Sequence, residues 1–234
     1  MSDAIMKNFY NLIFTVFFLM ASIAAQAGLQ QGIDAYGKGN YPAALKEFKP
    51  LATKGNATAQ SVLGFMYANG QGVKQDYKKA VVWYKKAAAQ WDADAQTFLG
   101  VMYGKGQGVP QNYGKAAKWY RKAAEQGFAD AQSNLGMMYA NGQGVPRDDN
   151  EAAEWYRKAA EQGNAPAQFN LGVMYANGQG VSQDVVQAHK WFILAEAVVG
   201  EEAANNRILL EADMTSEQIE EAQKLAREWA EVHK

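Results

Sequence analysis

The stretch Ala95–Asp130, AQTFLGVMYGKGQGVPQNYGKAAKWYRKAAEQGFAD, decides the fold. The stretch that follows, Ala131–Pro166, reads AQSNLGMMYANGQGVPRDDNEAAEWYRKAAEQGNAP and matches it at 23 of 36 positions. The same frame opens at Ala59 and again at Ala167, so four starts lie 36 residues apart with no insertion. A fixed period of this length marks a solenoid, in which each unit buries its apolar face only against its neighbours.

Within the unit the pattern is helix, turn, helix. Ala95, Leu99, Met102 and Tyr103 lie at i, i+4, i+7 and i+8, one face of a first helix. Gly100 falls beside that face, and Gly64, Gly136 and Gly172 take the same place in their units. Glycine costs about 1 kcal/mol inside a helix relative to alanine, so four at one repeat position point to a close approach by a second helix. The turn Gly106-Gln107-Gly108-Val109 recurs from Gly70, Gly142 and Gly178, its first glycine suited to a left-handed helix end. Asp76, Asn112, Asp148 and Asp184 then sit where a side chain caps the second helix. That helix presents Ala116, Trp119, Tyr120, Ala123 and Ala124 on one face, with Trp119 read as a core residue, and Arg121-Lys122 on the wet side.

Working outward, residues 28–58 form an irregular first unit, as expected for a terminal repeat with one neighbour. Pro42 suits a helix start there, and Pro50 is expected to kink or end that helix. Full repeats follow at 59–94, 95–130, 131–166 and 167–202. In the last of them Ile193-Leu194 replace the basic pair and Val198-Val199 follow, so an apolar surface needs a cover. Residues 203–234 supply it: Thr215-Ser216-Glu217-Gln218 is a capping-box start, and Ile219, Ala222, Ala226 and Trp229 form a stripe on a helix over Thr215–Val232.

Residues 1–27 differ from everything after them. Lys7, the apolar run Leu12–Met20 and Ala25-Gln26-Ala27 have the order of a secretory signal peptide, with cleavage after Ala27. An uncleaved anchor is the rival reading, although the run is short for a bilayer of ~20 apolar residues. Met1 and Met6 both remain open as the true start. The mature chain is therefore expected in the periplasm or outside the cell, with no stable membrane anchor. It has no cysteine, which excludes disulfides, thiolate chemistry and a lipid-modified cysteine. The formal net charge is -1 with no basic block, which argues against a nucleic-acid partner.

The pattern A-x-x-x-L-G-x-M-Y-x-x-G-x-G-V, then D, then K-A-x-x-W-Y-x-K-A-A, resembles the Sel-1-like repeat, a relative of the tetratricopeptide repeat. The resemblance covers Ala59–Glu202, with residues 28–58 a weaker fifth unit. It implies an all-α fold, a right-handed α-solenoid of helix-turn-helix repeats, used as an adaptor or scaffold for proteins. One cysteine-rich branch of that family has been described as penicillin-binding or β-lactamase-like, so a cell-envelope hydrolase is the alternative. The absence of cysteine separates this chain from that branch.

No spacing carries catalytic or metal chemistry. Gly32–Lys38 spells G-x-x-x-x-G-K, but Gly39 stands where the magnesium-ligating hydroxyl belongs and no strand precedes it. His189 and His233 are the only histidines and lie in no metal-ligand spacing, and His189 reads as a half-exposed helix residue. No catalytic, cofactor-binding or metal residues are assigned, and no cofactor is expected. The candidate site is instead the side of each first helix opposite the core. It holds Ser61, Phe65 and Asn69; Thr97, Val101 and Lys105; Ser133, Met137 and Asn141; and Phe169, Val173 and Asn177. Phe98, Asn134 and Asn170 flank this row. By resemblance to tetratricopeptide domains it is the concave groove. Asn134, Asn170, Asn141, Asn177, Phe98, Lys105 and Phe169 are the residues expected to contact a protein or peptide partner. The asparagine amides offer donors and acceptors suited to a peptide backbone.

Overall fold

The structure, a computed structural model, describes residues 25–233, so the leader reading falls, up to residue 24, outside the described residues. Every regular element among the described residues is an α-helix. The chain forms two compact units, the first running to Ala95 and taking in Gln107–Val109, the second comprising the rest.

The first unit holds α1 (residues 25–37), α2 (Tyr41–Thr53), α3 (Ala57–Asn69) and α4 (Tyr77–Ala88). Pro50 lies inside α2 and does not end it, because the helix continues for three residues to Thr53. Asn56 caps α3, its side chain accepting from the Ala59 amide at 2.8 Å. In the second unit α5 (Ala93–Lys105, from Gln96 onward) is followed by α6 (Tyr113–Glu125), α7 (Ala129–Asn141) and α8 (Asp149–Ala160). Then come α9 (Ala165–Asn177), α10 (Val185–Val199), α11 (Glu201–Glu211) and α12 (Ser216–Val232). Antiparallel pairs form within repeats, α3 on α4, α7 on α8 and α9 on α10, and successive repeats meet through α6 on α7 and α8 on α9.

The four helix glycines do mark a close approach, and the approaching group is an aromatic ring. A Cβ on Gly100 would lie 2.5 Å from the Tyr120 ring, and one on Gly136 would lie 2.9 Å from Tyr156. Gly64 faces Tyr84 and Gly172 faces Phe192 in the same way. These rings are the buried core aromatics, whereas Trp83, Trp119 and Trp155 are only half-buried. The sequence reading of Trp119 as core is corrected here: its ring is roofed by the Lys122 ammonium, 4.5 Å from the centroid. The capping residues behave as expected, with Asp76, Asn112, Asp148 and Asp184 each accepting from a first-turn amide.

Two further contacts join neighbouring repeats. The second turn glycine packs on the backbone at the start of the preceding repeat's second helix. A Cβ on Gly144 would fall 2.2 Å from the carbonyl carbon of Tyr113, and one on Gly180 would fall 2.0 Å from the Asp149 carbonyl oxygen. Their φ angles of +72° and +65° are also left-handed, so glycine is required twice over. The second contact is made by a buried glutamine near the start of a first helix, which is in turn bonded by an exposed glutamine of its own repeat. Gln132 donates to the Ala124 carbonyl at 3.1 Å and accepts from Gln162 at 2.8 Å. Gln60 and Gln90, and Gln96 and Gln126, repeat the glutamine link.

The C-terminal region needs three corrections. The cover is two helices, since α11 precedes α12 and both pack on α10. The capping box at Thr215 is present, and Ala222 and Ala226 are buried, but Trp229 meets Trp191 edge-on at 6.3 Å and Val198 stays 74% exposed. His189 is fully buried, not half-exposed: its Nε2 lies 2.7 Å from a Glu211 carboxylate oxygen that also accepts from Arg207. Arg207 reaches Glu196 at 3.0 Å, so a hydrogen-bonded chain ties α11 to α10. Glu211 is held below the usual carboxylate range, first by the hydrogen bond to His189 and then by Arg207.

Candidate functional site

The first helices of the second unit carry two hollows built from the same repeat positions. One, of about 240 Å³, is lined by Val101, Gly104 and Lys105 of α5, Tyr113, Ala116 and Tyr120 of α6, and Asn134, Met137 and Met138 of α7, with Gln143 from the turn. The other, of about 490 Å³, is lined by Met137, Ala140 and Asn141 of α7, Arg147, Asp149 and Tyr156, and Asn170, Val173 and Met174 of α9, with Gln179 from the turn. Moving 36 residues along the chain converts Val101, Lys105, Asn134 and Gln143 into Met137, Asn141, Asn170 and Gln179. Met137 belongs to both hollows and is 41% exposed, so it forms the ridge between them.

Their floors follow from the packing already described. Tyr120 and Tyr156, seated on their glycines, form the base of each hollow, and burial raises both phenols above their ordinary value. A deprotonated tyrosinate is thereby disfavoured, and the floor stays neutral.

The walls differ in charge. In three repeats the residue before the helix cap is a glutamine that donates to a carbonyl ending the first helix, as Gln111 does to Gly104 at 2.8 Å. Gln75 and Gln183 make the matching bonds to Ala68 and Ala176. In the third full repeat this residue is Arg147, which forms a two-pronged ion pair with Asp149 at 3.0 and 2.9 Å. The pairing lowers the Asp149 carboxyl and raises the Arg147 guanidinium, the hydrogen bonds being the larger cause in both. The larger hollow thus holds one exposed, oriented charge pair beside neutral amides.

Among the residues expected at the groove, Asn134 and Lys105 line the smaller hollow and Asn141 and Asn170 the larger. Asn134 spends one amide hydrogen on the Asp130 carbonyl at 2.7 Å, which fixes its rotamer. Asn177 is exposed at the end of α9, and Phe98 is half-buried in α5. Phe169 turns toward Phe192, with ring centroids 5.8 Å apart, and lines neither hollow. Ser61 and Thr97, placed in the open row by the sequence, are buried, whereas the equivalent Ser133 and Phe169 are half-buried. Gln143, Gln179, Arg147 and Asp149 went unread; the recurrence of the glutamine inside each Gly-x-Gly turn was the signal for the first two.

Among the described residues no group of three or more histidine, cysteine or acidic side chains is placed to hold a metal ion. None of the described helices is long and apolar enough to cross a membrane.

The comparisons with known proteins agree with this architecture. The Sel1 repeat model matches residues 57–90, 93–128, 129–164 and 165–197. The crystal structure of c5321, a protective antigen present in uropathogenic Escherichia coli strains displaying an SLR fold, is 36% identical with a TM-score of 0.80; the match covers 88% of this chain and 45% of that one. The present chain therefore spans under half of that relative. A Sel1 repeat protein from Oxalobacter formigenes is 33% identical, with a TM-score of 0.74 and coverage of 88% and 82%. The immunity protein PA5088 from Pseudomonas aeruginosa, 18% identical over 86% and 82% of the two chains with a TM-score of 0.53, shares the fold alone. No curated protein matches the chain. With four matched repeats and solved relatives above 30% identity, the chain belongs to the Sel1 repeat family, whose helix-turn-helix repeats are a scaffold for protein interaction.

Proposed function

We propose that this protein is an exported, non-enzymatic scaffold that holds an extended protein or peptide segment along the first helices of its repeats. The observation that carries the reading is the recurrence of one hollow at a 36-residue step, with Met137 shared as the ridge. A periodic row of hollows suits a ligand that is itself periodic, and an extended backbone offers side chains at regular intervals with amides between them. Asn134 and Asn170 stand at equivalent walls to bond such amides, and the Arg147–Asp149 pair supplies one polar anchor. Export is supported by the order of Lys7, Leu12–Met20 and Ala25-Gln26-Ala27. The longer relative c5321 is described as a protective antigen, a role that fits an envelope or extracellular location. His189 is sealed from solvent and engaged with Glu211, so its basic ring serves the α10–α11 joint instead of a substrate.

The test is peptide-display selection on the immobilised protein, followed by titration of selected peptides against the Asn134→Ala/Asn170→Ala double variant. Binding should fall about tenfold or more while helix content stays the same, the usual result of deleting two contact amides. Equal affinity for the variant would move the site off this groove. Intact-mass measurement of the exported protein should give a chain beginning at Gly28.

A further inference from the structure

The near-zero net charge conceals a segregation along the chain. Between residues 38 and 91 there are nine lysines against only Glu47 and Asp76, while between residues 196 and 234 there are ten acids against four bases. Each charged region also exposes apolar surface where the repeat pattern does not require it. On α4, Val82 occupies the place of Lys46, Lys118, Glu154 and Lys190, and is 53% exposed. In the turn after α4, Trp91 occupies the place of Gly55, Gly127 and Gly163, and is 68% exposed. It has a φ of +65°, the only positive value at a non-glycine among the described residues. A bulky side chain there is strained, and strain retained at an exposed aromatic points to use. Lys78, Lys85 and Lys86 are exposed on α4, and the sequence has no acid between Tyr77 and Trp91.

The chain itself carries a surface of complementary make-up. Glu201, Glu202, Asn205, Ile208, Leu209 and Ala212 fall at i, i+1, i+4, i+7, i+8 and i+11 of α11, and all are exposed. Ile208 and Leu209, 55% and 73% exposed, give this face an apolar centre, and the two glutamates give it an acidic end. Both faces are open to solvent in the single chain, so they do not satisfy each other within it.

We infer that the surface carrying Val82 of α4 and Trp91 of the turn after it docks the Ile208–Leu209 face of α11 on a second copy of this chain. Apolar centre meets apolar centre, and the α4 lysines meet Glu201 and Glu202. The contact is heterologous: each copy that uses its α4 still presents a free α11, and assembly continues unless a ring closes. None of Val82, Trp91, Ile208 and Leu209 lines a hollow of the first helices, so the inference is independent of the groove reading.

The experiment is sedimentation velocity on the purified full chain, from low to high micromolar concentration and at low and high salt. The expected result is concentration-dependent association that weakens as salt screens the charged groups. The decisive variant is Val82→Lys/Trp91→Gly, which restores residues that other repeats of this chain already carry. It should melt no earlier than the parent and lose self-affinity by about tenfold or more, as when an aromatic anchor leaves an interface. Ile208→Gln/Leu209→Gln should do the same from the other side. Because the two variants lack opposite faces, their mixture should form a pair that grows no further. A parent that stays monomeric at low salt, association unchanged by Val82→Lys/Trp91→Gly, or an inert mixture would each overturn the inference. So would a monomeric parent that binds phosphatidylglycerol vesicles through Trp91, which would assign the face to an anionic lipid surface.

Discussion

The end of α8 and the end of α10 began as the same repeat position and are built in different ways. At α8 the chain turns through Glu161-Gln162-Gly163, Gly163 takes a φ of +81°, and Gln162 links to Gln132 of its own repeat's first helix. At α10 the matching residues are Ala197-Val198-Val199, the helix runs on to Val199, and no such glutamine exists. In its place stand the Trp191–Trp229 contact and the hydrogen-bonded chain through His189, Glu211, Arg207 and Glu196. The interior is held by contacts that recur, each small and each duplicated. The end is held by contacts that occur once, and must seal a surface that interior repeats hand on to the next unit.

The difference is broken most severely by removing the non-repeating end. Truncation after Asp213 deletes α12 with its buried Ala222 and Ala226 and its Trp229, uncovering Trp191 and Leu194 beneath it. At roughly 1.5–3 kcal/mol for each large side chain re-exposed, the loss should reach several kcal/mol, with aggregation of the open array. Thermal melting and sedimentation of the two chains check this; an unchanged, monomeric truncation would make α12 a free tail. Next comes the interior core. Tyr156→Ala should cost about 3–5 kcal/mol, the usual range for a buried large aromatic, and Trp155→Ala only about 1–2 kcal/mol because its ring is incompletely buried. The two denaturant midpoints rank the residues, and the reverse order would restore the tryptophan as core.

Smaller effects sharpen the comparison. Gln162→Ala leaves the buried Gln132 acceptor unpaired and should cost about 1–2 kcal/mol, read from chemical denaturation. The smallest effect concerns pH. The Glu211 carboxyl is held below the ordinary glutamate range in the folded chain, so its contribution is present above the unfolded pKa and is lost as pH falls through the folded one. Melting temperature should therefore drop more steeply below about pH 4.5 in the parent than in Glu211→Gln, with the two curves running parallel well above it. Parallel curves through the acid range would show that the carboxylate adds nothing to the α10–α11 joint.

How much of this could be read from the sequence follows from the same division. The period exposed whatever repeats: helix pairs, caps, the glycine cradle and the row of first-helix positions all carry a mark at every 36 residues. It did not separate Trp119 from Tyr120, because adjacent residues share a periodicity and only depth distinguishes them. Features that occur once left little trace. His189 stands where Val81, Ala117 and Ala153 pack, and its burial depends on Glu211, 22 residues away on a helix that no repeat foreshadows. At the candidate groove Asn134 and Asn170 were readable as a recurring pair. Arg147 and Asp149 were not, since the pair matters because it departs from the glutamine used elsewhere.

The second turn glycine has a consequence for how such a chain changes over generations. At Gly144 and Gly180 the junction between neighbours is main chain against main chain, with the intruding residue reduced to a hydrogen. A joint made of atoms common to all amino acids is indifferent to which side chains line the groove beside it. A 36-residue module that keeps this glycine keeps that part of its seam, whatever side chains line its groove. The glycine thus acts as a standard coupling, and the freedom to acquire new partners rests on the one residue of the turn that cannot itself vary.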